Sequence, residues 1–177
     1  MYTVRFLLGI LCLVNVCSYR VPNGDLLTRN TIVAIAASQL SVREMGGNNH
    51  GPDVKKYLAH VGFKEGAPWC AAFLSWVFAQ AGYLEPRTAW SPALFPLARK
   101  TSDPKPADLV GFYYSSLGRI ARCGIIESKK NDWLITIEGN TTAVGSRDGN
   151  GVHRKRRHLK TVAKFADWLK NKGGTDD

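Results

Sequence analysis

Gly66-Ala67-Pro68-Trp69-Cys70-Ala71-Ala72-Phe73 is a loop that runs straight into an apolar helix, with a cysteine at the junction. A helix N-terminus carries unpaired N–H groups and a partial positive charge, and both favour thiolate over thiol. A cysteine placed there is suited to act as a nucleophile. Phe73, Leu74, Val77, Phe78 and Ala81 follow at helical spacing. The pattern predicts a helix from Cys70 to just before Gly82, with the thiol at the top of its core-facing stripe.

Upstream of this helix, residues 31–42 carry an apolar stripe through Ile32, Ile35, Ala36 and Leu40, and read as a helix. Gly46-Gly47-Asn48-Asn49 is a loop by composition, and Pro52 opens a short helix over 53–61 that Gly62 stops. Downstream, prolines at 86, 92, 96 and 104 break residues 84–103 into loop with at most a short helix. From Pro106 the periodicity changes, and residues 108–114, 119–127, 133–138, 152–157 and 161–168 read as strands. Helices followed by antiparallel strands make an α+β layout, with the cysteine-bearing helical layer packed on the sheet.

The hairpin over 119–140 carries the other candidate site residues. A three-residue loop at Lys129-Lys130-Asn131 would set Ser128 against Asp132 and Arg122 against Glu138. Strand alternation then puts Arg122, Glu138 and Asn140 on one face, and Cys123 and Ile125 on the other, in the packing. On that register Arg122 and Glu138 form a cross-strand ion pair worth ~0.2–1 kcal/mol. A Cys70–Cys123 disulfide is not expected, because the two side chains would lie on different faces. Trp69 and Phe73 flank the nucleophile and are candidates to line a substrate groove, with core packing as the alternative.

The chain has 177 residues, 45% of them hydrophobic, which is enough for one domain with a real core. Its net charge of +10 suits an anionic partner without choosing among nucleic acid, membrane and wall polymer. Arg5 and the apolar run over 6–16 have the length of a signal-peptide core and are too short to span a bilayer. Residues 1–17 therefore read as a leader, with Cys17 as a candidate lipidation site. The four cysteines show no metal-ligand spacing and the histidines do not cluster, so no metal site is expected. The tail over 169–177 reads as flexible.

Several of these stretches together resemble the CHAP domain, the cysteine, histidine-dependent amidohydrolases/peptidases of papain-like fold. They are GAPWCAAFLSWVFAQAGY (66–83), PKPADLVGFYY (104–114), ARCGIIE (121–127), ITIEGNT (135–141) and GNGVHRKRR (149–157), after the lead-in GGNNHGPDVKKYL (46–58). The resemblance runs from about Ile32 to Trp168, within a CHAP-like domain over 28–168. It implies Cys70 as nucleophile and Glu138 and Asn140 as polar partners. It further implies a secreted amidase or endopeptidase that attacks a peptidoglycan amide through a thioester. No metal or organic cofactor and no nucleic acid is implied. The expected partner is peptidoglycan or another anionic wall polymer, the expected state a monomer, and the expected location secreted or periplasmic, with membrane contact only through a lipid on Cys17.

One position departs from the family pattern. Where members carry a histidine heading an "HVGIVE"-like strand, this chain reads Arg122-Cys123-Gly124-Ile125-Ile126-Glu127. A guanidinium can favour a thiolate as a fixed cation, but it does not release a proton near neutral pH. Loss of the general acid/base costs on the order of 10²–10⁴ in rate. The competing expectation is therefore a catalytically silent member that binds wall peptide or a protein partner. Among the other histidines, His153 is the best substitute candidate, because its strand is expected to neighbour that of Glu138.

Overall fold

The computed structural model describes residues 24–143 and 149–170. The leader expected over 1–17 and the tail beyond residue 170 lie outside the described residues. Among these, no helix is long and apolar enough to cross a membrane.

Three helices precede five strands: α1 (Gly24–Ala37), α2 (Pro52–His60), α3 (Cys70–Gln80), β1 (Leu109–Tyr114), β2 (Arg119–Lys130), β3 (Trp133–Thr141), β4 (Gly151–His158) and β5 (Lys164–Ala166). The strands form one antiparallel sheet in the order β4-β3-β2-β1-β5, so the expected α+β layout holds. The first helix starts and ends earlier than its apolar stripe suggests. Residues 38–41 form turns, and Val42 and Arg43 are drawn into bonding with β4, where Val42 O accepts from Val152 N at 3.1 Å. The proline-rich stretch holds two short 3-10 turns, Ser91–Leu94 and Leu97–Arg99. Likewise the last strand is only three residues long, because Leu159–Thr161 form a 3-10 turn that carries the chain from one sheet edge to the other. Leu169 packs on the core, and the Lys170 carbonyl accepts from Arg99, so the start of the expected tail is held in place.

The core lies between the helices and one face of the sheet. From Cys70 to Ser75 every residue of α3 is buried, as are Val77 and Phe78. Tyr57, Trp69, Phe73 and Trp76 form an aromatic cluster with ring centroids 5.1–6.5 Å apart. Gly139 lets β3 approach this cluster: a Cβ there would sit 2.8 Å from both Phe73 and Trp69. The opposite face of the sheet buries a smaller cluster, Val110, Phe112, Ile126 and Leu134, under Leu159, Val162 and Phe165.

Arg29 pins α1 to this assembly. Its guanidinium, almost fully buried, bonds Asp108 at 2.7 Å, Asp167 at 2.8 Å and Asp25 at 3.0 Å. Asp108 was expected simply to start a strand, and it is the buried anchor of this network.

Candidate active site

Cys70 is the first residue of α3, and no side chain caps the helix at Trp69. The N-terminal N–H groups are thus left to other acceptors, and the sulfur is one of them: the Ala71 N–H helps hold the thiolate. The side chain is 5% exposed. Its sulfur lies 3.3 Å from Ser91 Oγ and 3.9 Å from the Ala121 carbonyl oxygen. Cys123 Sγ reaches the same serine hydroxyl, at 3.8 Å. The Cys123 thiol, the Ser91 hydroxyl, the Arg122 charge and the Ala71 N–H together outweigh burial and bring Cys70 down to about 6, with the bond from Cys123 the largest contribution. Cys123 moves the other way, well above the ordinary thiol range, pushed by burial and by its neighbour's charge. Of the two sulfurs, Cys70 is the one drawn toward the thiolate and Cys123 the one held toward the thiol.

The expected disposition of Cys123 is overturned here. It was placed on the face away from Cys70, whereas the two sulfurs converge on one hydroxyl, because Cys123 packs beneath the N-terminus of α3. Both cysteines are free.

The register of the β2–β3 hairpin also differs. The turn is two residues, with Lys130 paired to Trp133, and a bulge between Ile126 and Ser128 shifts the pairing again. Asn131, in the turn, takes the left-handed conformation (φ 52°). Past the bulge Ile125 faces Ile137, which sets Gly124 against Glu138 and Arg122 against Asn140. Gly124 is required there, since a Cβ would fall 2.6 Å from Glu138 Cγ.

Glu138 is consequently not the partner of Arg122. It is 1% exposed and pairs with Arg157 through two bonds, Nε–Oε1 at 2.8 Å and Nη2–Oε2 at 2.6 Å, while Thr136 Oγ1 donates to Oε1 at 2.7 Å. Arg157 also lies over the Phe112 ring, 4.6 Å from its centroid. Alternation sends Glu138 to the face away from the thiol, with Thr136 and Gly124.

Arg122 Nη1 donates to the Asn140 carbonyl oxygen at the end of β3. The Asn140 side chain turns elsewhere, its Nδ2 donating to Asn49 Oδ1 at 3.0 Å. Asn49 Nδ2 in turn reaches the Gly66 carbonyl at 3.3 Å, and its own N–H is held by Glu44 Oε2 at 2.9 Å. Glu44 Oε1 accepts from Trp69 Nε1 at 2.8 Å. This network ties the 46–50 loop, the loop before Cys70 and the end of β3 into one support. Trp69 and Phe73, the expected groove residues, are fully buried within it and in the aromatic core, so neither reaches a ligand.

None of the four histidines bonds Cys70. His50 Nδ1 sits 2.6 Å from the Asn48 carbonyl, His153 Nε2 2.8 Å from Asn150 Oδ1, and His158 Nδ1 accepts from Lys160 N at 3.1 Å. His60 closes α2 with its Nε2 unpartnered. His153 does face Glu138 from the neighbouring strand, as expected. That puts it two strands from β2, roughly 10 Å away across the sheet, and on the wrong face for the thiol.

Beside the sulfur opens a hollow of about 200 Å³ lined by Pro68, Trp90, Ser91, Arg119 and Ala121, among others. Ser91 and Ala121, which touch the sulfur, are part of its wall. Arg119 stacks over Trp90 at 4.3 Å from the ring centroid. Sequence reasoning missed Ser91, Arg119 and Trp90. Their only signal is that a serine and an aromatic residue stand in a proline-broken loop. The basic run of β4, in contrast, is largely consumed within the fold. Arg154 pairs with Glu127 at 2.6 Å, Arg157 with Glu138, and Lys155 with the Thr142 and Ala143 carbonyls.

Among the described residues no cluster of side chains fits a metal ion. No family model matches the chain, and no curated protein sequence matches it. Solved structures do. The P60 domain of an antigen from M. avium paratuberculosis superposes with a TM-score of 0.50 at 14% identity, covering 81% of this chain and 95% of that domain. The peptidoglycan hydrolase RipB from Mycobacterium tuberculosis gives a TM-score of 0.47 at 18% identity, over 83% of this chain and 68% of RipB. The fold is that of the papain-like α+β proteins, with the cysteine helix laid on an antiparallel sheet.

Proposed function

We propose that the chain is a cysteine hydrolase of cell-wall peptide, of the CHAP type, with Cys70 as nucleophile. The observation that carries this reading is the Cys70 sulfur at the α3 tip, 3.3 Å from Ser91 Oγ and drawn toward the thiolate by Cys123, Ser91 and the Ala71 N–H, next to a hollow walled by Ser91 and Ala121. The fold likeness to the P60 domain is in keeping with this reading. The thiolate attacks an amide carbon, the amine leaves, and water releases the acyl group from the thioester. Arg122, in the position of the family's histidine, contributes fixed positive charge that favours the thiolate, from the sheet face it shares with Glu138, and bonds the Asn140 carbonyl. Asn140, through Asn49, keeps β3 in register with the cysteine loop, and Glu138 anchors β3 to β4. The leader over 1–17, export, a monomeric state and a lipid at Cys17 belong to the same reading.

A second reading is favoured by one observation: no histidine stands by Cys70, so the departing amine has no evident proton donor of the usual kind. On that reading the protein binds wall peptide without cutting it. Digestion of purified peptidoglycan by wild type, Cys70→Ala and Arg122→His separates the two. Release of soluble fragments by wild type, abolished in Cys70→Ala, supports the hydrolase. Release by Arg122→His alone, with wild type inert, supports the silent binder and sinks the hydrolase reading.

A further inference from the structure

We propose that Cys70 and Cys123 form a redox-active dithiol, in which Cys123 resolves oxidised Cys70 into a reversible disulfide. The two side chains come from different elements, the tip of α3 and the middle of β2, yet both sulfurs rest on the Ser91 hydroxyl, at 3.3 and 3.8 Å. Both are free and both are buried, at 5% and 1% exposure, so each is shielded from the thiols of other proteins. Residues around them are small: Ala71 and Ala72 follow Cys70, and Gly111 is the β1 partner of Cys123. The hollow beside them shares two walls with the sulfur, Ser91 and Ala121, which makes it the side from which a small oxidant would come.

The chemistry balances with a hydroperoxide as oxidant. The Cys70 thiolate attacks one peroxide oxygen, the O–O bond breaks, and the departing hydroxide takes a proton to become water, leaving a sulfenic acid. Cys123 gives up its proton and attacks the Cys70 sulfur. The S–O bond breaks, the hydroxyl leaves as a second water, and an S–S bond forms. Two thiols lose two electrons and one peroxide gains them. A thiol reductant reverses the cross-link by exchange. The oxidised form has no thiolate, so any chemistry at Cys70 stops until reduction. Without Cys123 the sulfenic acid would persist and proceed to the irreversible sulfinic acid. The pairing does not rest on the hydrolase reading, because it is read by mass and not by activity.

The test treats the full chain with hydrogen peroxide, quenches with acid, and maps peptides without reduction. The expected product is one cross-linked species joining the Cys70 and Cys123 peptides, lighter by two hydrogen atoms than their sum, with full recovery of alkylable Cys70 after dithiothreitol. In Cys123→Ser, which keeps a hydroxyl donor at the position, the expected result is a dimedone-trapped sulfenic acid at Cys70 and loss of that recovery. Circular dichroism confirms that the variant is folded, and the wild-type map stands without it. The proposal is overturned by a wild-type map in which Cys70 becomes sulfinic acid with no cross-link. Cross-linking of Cys70 to Cys12 or Cys17 overturns it as well, as does survival of both thiols through the treatment.

Discussion

Replacing Arg157 by methionine leaves the Glu138 carboxylate, 1% exposed, with one of its three bonds, that from Thr136. Breaking a buried ion pair from one side costs about 3–5 kcal/mol, because the surviving charge stays desolvated. The Arg157 side chain is 28% exposed, so water can follow its loss, and the low end, about 3 kcal/mol, is expected. Methionine keeps part of the cover over Phe112, which limits any added packing loss. For a chain of this size each kcal/mol moves the melting temperature by roughly 2–4 °C, so the variant should melt ~6–12 °C below wild type. Removing both charges, as in Glu138→Leu with Arg157→Met, should restore much of that, since a buried pair is often near neutral against apolar replacement. Thermal unfolding by circular dichroism measures all three proteins. The assignment of Glu138 as a structural anchor is refuted if Arg157→Met melts with wild type. It is refuted equally if Glu138→Gln keeps its stability and loses Cys70 alkylation.

Three further outcomes follow from the site and core. Alkylation of Cys70 by iodoacetamide should fall as pH drops through about 6 and stay flat above it, because the depressed thiol remains ionised there. An ordinary thiol would show its midpoint near about 8.5, and a midpoint there sinks the thiolate assignment. Cys123→Ala removes the strongest donor to the sulfur and should move the midpoint upward, measured by the same pH series. Gly139→Ala puts a Cβ 2.8 Å from Trp69 and Phe73 and should cost about 1–3 kcal/mol in denaturant unfolding, as overpacking does.

How much was readable before the coordinates follows from the range of each signal. The helix at Cys70 rests on contiguous apolar spacing and a Pro-Trp-Cys junction, both local, and its start falls on the expected residue. The same is true of α2, announced by Pro52 and Gly62. That the strand of His153 neighbours that of Glu138 was expected, and β1 to β4 form a meander. The long-range pairings were not local. That Arg29 meets Asp108 and Asp167 depends on where α1 lands on the sheet, which no spacing encodes. Ser91 reaches Cys70 from a proline-rich loop whose path is set by packing alone.

The hairpin shows how a small local error changes the chemistry of a site. A loop of three residues was read at Lys129-Lys130-Asn131, but the strand runs on through Lys130 and only Asn131 and Asp132 turn. Side chains alternate, so a shift in pairing redistributes every contact across the two strands. The bulge after Ile126 then shifts the register once more, a feature without a sequence marker in Glu127 or Ser128. The net result moves Arg122 from Glu138 to the Asn140 carbonyl and leaves Glu138 to Arg157. The Arg122 charge still reaches the sulfur as one of the contributions that lower Cys70. The arginine that stands where a histidine was expected thus favours the thiolate, while no histidine among the described residues bonds the sulfur to return the proton.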